Sequence, residues 1–474
     1  MEKLKVLLSA YACEPGKGSE PSVGWNWAKH LCGENDITVI TRSNNRPHIE
    51  RSGETWIHNV TWIYSDLPRW AQWLKKRGFG THLYYVLWQY GAYRKIKEMM
   101  SQGALSIDIV HHVTFGTYWL PSWMGKLAVP FVFGPVGGGE ETPIELLQSL
   151  TPAQQRYEKR RNFSQRLFYR LFRRLVTSDN VLLVAGTDET AKKMLNQGCK
   201  PCIHQHRATP CVADVRNSKA VSLASSHQII VFPQSGLSED EKACFSTLPR
   251  KKPHAPFTIM SMGRLEHWKG NHLGIQAFAK ILKQCPHAEY WISSEGRERK
   301  RLERLAKTHD CGTQVKFLGK LPTLQGLYER LAQCDVLLHP ALHETFGVAC
   351  LEAMALQKPV VCFNHGGPAL LIGTRDIPLP PNVIETQEWV MADCGIAVKD
   401  GSPQETVDRL AEALLTFAND TALCKRTGES AQNRIHQKFS WPSLATQMHM
   451  IYLRILTAKD AKVSQGTQRG HDEH

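Results

Sequence analysis

Two carboxylates, Glu344 and Glu352, stand with seven residues between them in VLLHPALHETFGVACLEAMALQKPVV, residues 336–361. The apolar run before Pro340 reads as a strand, and a helix begins near Gly347. Glu344 therefore falls in a strand-to-helix loop and Glu352 within the helix. A carboxylate accepts hydrogen bonds from a vicinal pair of hydroxyls, as sugars and riboses present them. Peptide N–H groups at a helix start lack intrahelical partners and carry partial positive charge, which suits a sugar or phosphate oxygen. Gly347 has no side chain to keep such a ligand from the backbone. A capping Glu and a surface Glu would leave the same letters, so spacing alone keeps both readings open.

Two cations, Arg264 and Lys269, lie in SMGRLEHWKG, residues 261–270, between a strand and a helix. Beside a helix N-terminus they could clamp a pyrophosphate; a solvated basic loop is the other reading. The Gly-rich loop EPGKGSEPSVGWNWA, residues 14–28, follows a first strand and lacks Walker spacing. Gly18, with Gly16 and Glu20 behind it, would admit a phosphate or sugar. His111 and His112 end another strand, so one faces the ligand side and one faces away; a histidine there could hold sugar hydroxyls or orient the reacting centre. A buried structural histidine is the alternative for either. Gly137, Gly138 and Gly139 read as a tight turn, and ISSEGRE carries Gly296.

Short apolar runs alternate with helical patterns along both halves, which predicts parallel, doubly wound sheets. The polar stretch 217–256 reads as a linker. The expected organisation is an N-terminal domain over 1–235, a C-terminal domain over 236–440, a closing helix over 441–458 that packs back on the first domain, and a disordered tail over 459–474. Ligands of open α/β sheets sit beyond the carboxyl ends of the strands, where all of these loops fall.

The Glu344–Glu352 pair and the surrounding HETFGVACLEAMALQKPVV resemble the E-x7-E region of the retaining glycosyltransferases of family 4. The resemblance covers nearly the whole chain and is strongest in the second half. It implies the GT-B fold, an α/β architecture of two Rossmann-like doubly wound domains facing across a deep cleft that holds the active site. It also implies that Glu344 contacts a donor sugar and Glu352 a ribose. Arg264, Lys269 and the turn Phe346, Gly347 and Val348 would stabilise a leaving pyrophosphate. Gly18 would border the acceptor side and the phosphates in a loop, GSEPSVGWNW, that resembles the first loop of some family members. FSW at 439–441 resembles the start of the family's closing helix. The chain departs from the pattern in four places. Asp108 and His111 fit an Asp-x-x-His-x-His run that ends here in Val113; Gly296 stands alone where the family often has Gly-x-Gly; NHGGPALLIG lacks a following glutamate; and Ser235–Gly236 replaces Asn-Gly.

The net charge of +14 admits nucleic acid, an anionic membrane or an anionic substrate as partner. No helix-turn-helix, zinc-finger or RNA-binding signature is present, so no nucleic acid is expected. A basic block, RYEKRRNFSQRLFYRLFRR over 156–174, interleaves Arg166, Arg170, Arg173 and Arg174 with Leu167, Phe168, Leu171, Phe172 and Leu175 at helical spacing. Such a helix could lie on an anionic membrane surface or pack on its own domain. An aromatic and basic stretch, Trp70 to Lys97, fits an interface, a lid or core equally. No apolar run reaches transmembrane length, and the N-terminus lacks a cleavage site, so a cytoplasmic protein is expected, with peripheral attachment to the inner face of the membrane as an option. The 13 Cys are odd in number and scattered, unlike a disulfide framework. Cys199, Cys202, His204, His206 and Cys211 contain one CxxC, too little to predict a metal site. No Asp-x-Asp stands at a strand end.

The expected activity is therefore transfer of a hexosyl unit from a nucleoside diphosphate sugar (a UDP- or GDP-sugar) to a hydroxyl of a glycan or lipid-linked acceptor, in exopolysaccharide, lipopolysaccharide or glycolipid synthesis. No metal or other cofactor is expected. The rivals are another GT-B enzyme, such as a sugar-nucleotide epimerase or phosphorylase, and a non-enzymatic binder of membranes or polyanions.

Overall fold

The computed structural model describes residues 3–18, 20–77, 80–175, 180–196, 229–249, 251–252, 254–376, 384–386 and 388–469. The Cys199–Cys211 cluster lies outside the described residues. The chain forms two compact units: residues 1–139, 164–234 and 441–474 make the first, and 140–163 with 235–440 the second.

The strands of the first unit are β1 (Leu4–Ser9), β2 (Asn35–Arg42), β3 (Val60–Ser65), β4 (Ile109–His112), β5 (Phe131–Val136), β6 (Val181–Ala185) and β7 (Ile229–Val231). Among the described residues they form one sheet in the order β3-β2-β1-β4-β5-β6-β7, and every pairing is parallel. A parallel sheet covered on both faces needs strands without a polar side, and β4 and β5 are buried at every position. The order reverses between β1 and β4, which makes the switch point at which α/β sheets bind ligands.

The second unit repeats the plan with β8 (Thr258–Ser261), β9 (Glu289–Ser293), β10 (Val315–Gly319), β11 (Val336–His339), β12 (Val360–Phe363), β13 (Ile384–Glu385), β14 (Trp389–Ala392) and β15 (Gly395–Val398). Their order is β10-β9-β8-β11-β12-β15-β14-β13, parallel except for the β13–β14 and β14–β15 pairs. Here the switch point lies between β8 and β11. An apolar core of this unit includes Ile259, Phe278, Leu338, Ile396 and Phe417.

Three features differ from the boundaries read in the sequence. Residues 140–163 lie within the range 1–235 yet cluster with the second unit, because Glu158 and Arg161 bond to its loops. The stretch read as a linker contains β7 and the helix Glu239–Ser246, whose Ser238 and Glu241 form a reciprocal cap. The closing helix runs from Trp441 to Arg469, past the expected end at 458. It belongs to the first unit, where Trp441 packs edge-on against Trp27 at 5.3 Å.

Candidate active site

β8 and β11 are neighbours, so the loops that follow them emerge side by side at the switch point of the second sheet. Gly270 ends the first loop with φ +64°, and a Cβ there would lie 1.7 Å from the Pro340 carbonyl oxygen of the second. The loops are further joined by the Leu342 N–H, which donates to the Trp268 carbonyl at 2.7 Å. Lys269 and Glu344, 75 residues apart, form an ion pair across this junction. His339 Nε2 lies 3.4 Å from the same carboxylate. Burial alone would raise the Glu344 carboxyl, but the Lys269 ammonium and His339 outweigh it and hold the group well below the usual range. Arg264 is exposed and, among the described residues, its guanidinium makes no hydrogen bond or ion pair.

Beyond Glu344 the chain turns into the helix Val348–Ala355. Gly347 caps it with φ +85°, a conformation that a side chain disfavours. Phe346 is buried, and Val348 is exposed at the helix start. The Gly367 N–H donates to the Glu344 carbonyl at 3.0 Å, so the glycines of NHGG serve as a backbone platform under Glu344. Glu352 accepts from the Tyr328 hydroxyl at 3.0 Å. Burial, and then Glu241, push its carboxyl up to about 8.

Gly296 has a steric reason. A Cβ there would lie 2.3 Å from the Leu265 carbonyl oxygen. Leu265 N–H donates to Glu295 O, and Glu298 N–H donates to Leu265 O, both at 3.0 Å. The β9 loop thus fixes the backbone next to Arg264. Ser294, two residues before Gly296, adopts φ +86°.

Sequence reasoning missed the groups behind these loops. Glu158, 1% exposed at its side chain, accepts from His267 Nε2 at 2.8 Å and lies 3.4 Å from His343 Nε2. His267 sits between Arg264 and Lys269; His343 precedes Glu344. Arg161 donates to His343 Nδ1 at 3.0 Å and to the Glu140 carbonyl at 2.6 Å. Thr345 donates to Glu140 Oε2 at 2.7 Å. Burial would raise the Glu158 carboxyl, but the two histidines and Arg161 together hold it well below its ordinary range. One signal was available: Glu158 is the sole acidic residue between 152 and 175.

In the first unit the two histidines occupy opposite faces of the sheet, yet both are fully buried. This corrects the expectation that one is open to a ligand. His111 Nε2 donates to the Gly134 carbonyl at 2.6 Å, so Nδ1 accepts from the Tyr452 hydroxyl at 2.5 Å. His112 Nε2 meets the Tyr85 hydroxyl at 3.2 Å. The closing helix covers one ring and the helix Thr81–Ser101 the other. Burial lowers the pair to about 4 and about 3. Gly18 is exposed in open space. Glu20 ties its loop to the other side of the switch point, accepting from the Phe115 and Gly116 N–H groups at 2.7 and 3.3 Å. Among the described residues no cluster of three or more His, Cys, Asp or Glu is placed to hold a metal ion.

Two Rossmann-like units, each with its candidate residues at the carboxyl ends of parallel strands, are the architecture of the GT-B glycosyltransferases. Residues 248–434 match the family Glycosyl transferases group 1, so the second unit carries a domain of that family. A glycogen synthase of Mycobacterium tuberculosis is 28% identical over 204 residues, 43% of this chain and 44% of that protein. The chain matches less than half the length of that relative. Sucrose-phosphate synthase from Thermosynechococcus elongatus superposes with a TM-score of 0.56 over 96% of this chain and 100% of its own, at 17% identity. The Anabaena protein HepE, solved in complex with UDP, gives 0.55 over 94% and 98%, at 16% identity.

Proposed function

We propose that the chain is a retaining glycosyltransferase of family 4 type that moves a hexosyl unit from a nucleoside diphosphate sugar to a hydroxyl acceptor. The observation that carries this reading is the ion pair of Lys269 with Glu344 at the switch point of the second sheet, with Arg264 exposed beside it. A cation and a carboxylate joined there present one charge to a diphosphate and hydrogen-bond acceptors to the hydroxyls of the adjoining sugar.

In this reading Arg264, Lys269 and the N-terminus of the Val348–Ala355 helix hold the diphosphate. As the bond from the anomeric carbon to the phosphate oxygen breaks, negative charge collects on that oxygen, where fixed donors act most strongly. The acceptor oxygen bonds to the same face of the carbon, and its proton passes to the departing diphosphate. Glu344 orients the sugar and Glu352 the ribose. Both histidines of β4 are structural. The reaction needs no metal, since the two cations and the helix start offset the phosphate charge. A glycan or a lipid-linked glycan is the acceptor class.

Calorimetric titration with UDP, GDP and ADP tests the reading. Micromolar binding of one nucleotide, lost in Arg264→Ala and in Glu352→Ala, supports it and identifies the base. Folded protein that binds none of the three refutes it.

A further inference from the structure

Fifteen Lys and Arg against two Glu lie in just two segments, 69–101 and 152–175, so these segments account for nearly all of the +14 net charge. The same segments hold ten of the fourteen exposed large hydrophobic residues among those described. A folded surface that concentrates both features calls for a partner.

On the helix Pro152–Phe172 the inward face holds Gln165 and Tyr169. Phe163, Leu167 and Leu171 recur every fourth residue on the outward face, and Leu171 is 64% exposed. Arg166, Arg170 and Arg174, all exposed, run alongside this stripe. The helix Thr81–Ser101 repeats the pattern: Leu83, Leu87 and Tyr90 point outward, followed by exposed Arg94 and Lys97, while Tyr85, Trp88 and Ile96 are buried. On the helix Arg69–Lys76, Trp70 and Trp73 are 65% and 51% exposed, and Arg77 stacks over Trp73 at 3.9 Å. Ring contacts connect the first two of these helices, from Phe168 to Trp119 at 5.9 Å and from Trp119 to His82 at 5.1 Å.

We infer that the helices Arg69–Lys76 and Thr81–Ser101, with the stretch of Pro152–Phe172 from Ser164 onward that belongs to the first unit, form a docking surface for an anionic lipid bilayer. Tryptophans and leucines enter the headgroup boundary, and the arginines beside them meet lipid phosphates, as on interfacial amphipathic helices. Charge decides for a bilayer over a protein partner. A groove that bound a peptide would bury its apolar stripe and pair a few charges, whereas here the apolar side chains stand exposed on helix faces and the Lys and Arg beside them far outnumber Glu98, the exposed carboxylate on these helices. Among the described residues no helix is long and apolar enough to cross a membrane, so attachment by this surface is lateral and reversible. The inference rests on the glycosyltransferase reading only for its purpose, which is to hold the enzyme where a lipid-linked acceptor lies.

Flotation with vesicles of equimolar phosphatidylcholine and phosphatidylglycerol, beside vesicles of phosphatidylcholine alone, tests it. The wild type should float with the anionic vesicles only, in a salt-sensitive manner. Arg166→Gln/Arg170→Gln/Arg174→Gln should bind them about a hundredfold more weakly. Trp70→Ser/Trp73→Ser should lose most binding while keeping its response to salt. UDP titration and thermal unfolding of the same variants should match the wild type, which separates a failed surface from a failed donor site or a failed fold. Absence of flotation, equal flotation of the variants, equally tight binding to heparin, or self-association abolished by Trp70→Ser/Trp73→Ser would each overturn the inference.

Discussion

Glu158 and His267, 109 residues apart, are joined by a buried 2.8 Å hydrogen bond, and through it a helix from the first half of the sequence supports the loop that carries Arg264 and Lys269. The same carboxylate meets His343, the neighbour of Glu344. One side chain therefore sets the register of both loops of the candidate site. Removing a partner from such a buried pair leaves the other uncompensated. Glu158→Ala should destabilise the second unit by about 3 kcal/mol. Glu158→Gln, which keeps one acceptor, should cost less but weaken nucleotide binding. Scanning calorimetry with UDP titration checks both, and unchanged affinity in a folded Gln variant would show that the contact is structural alone.

The charge on Glu158 also predicts a pH dependence. Its carboxyl binds a proton more weakly when folded than in the unfolded chain, where Glu titrates near about 4.3. Its contribution to stability is thus complete above that value and is lost as the pH falls. The Tm gap between the wild type and Glu158→Gln should narrow on acidification below about pH 4. A gap that stays constant over that range would contradict the ion pairing.

Glu352 behaves in the opposite sense, since burial and Glu241 push its carboxyl up to about 8. A ribose hydroxyl donates best to the ionised form. Nucleotide binding should then release a proton near neutral pH, and affinity should rise as the pH is raised through about 8. In Glu352→Gln this dependence should vanish. Titration in two buffers of different ionisation enthalpy measures the proton; uptake in place of release would exclude the ribose role.

Ser294 holds φ +86° at a position where glycine is at ease. The left-handed region costs a residue with a Cβ about 1 kcal/mol. Ser294→Gly should therefore raise the stability of the second unit by about 1 kcal/mol, read as an increase in Tm. A lower Tm would mean that the serine side chain makes up for its backbone.

Much of the local setting of the candidate site was legible in the letters. The strand-then-helix context of Glu344 and Glu352, and of Arg264 and Lys269, follows from hydrophobic periodicity, glycine placement and family resemblance. These are local properties, because a strand that ends in a glycine turn before a helix is specified by neighbours in the chain. The parallel sheets were legible for the same reason, as short runs buried on both faces cannot alternate with polar residues. What tertiary structure alone decided is pairing at long range. That Lys269 meets Glu344, that Glu158 crosses from the first half to hold His267 and His343, and that the closing helix and the Thr81–Ser101 helix seal off His111 and His112 all depend on strand order. Strand order places β8 beside β11, and β4 between β1 and β5, whatever the distance in sequence. The outward stripe of Phe163, Leu167 and Leu171 was equally undecidable, because helical spacing shows that an apolar face exists but not whether the fold covers it.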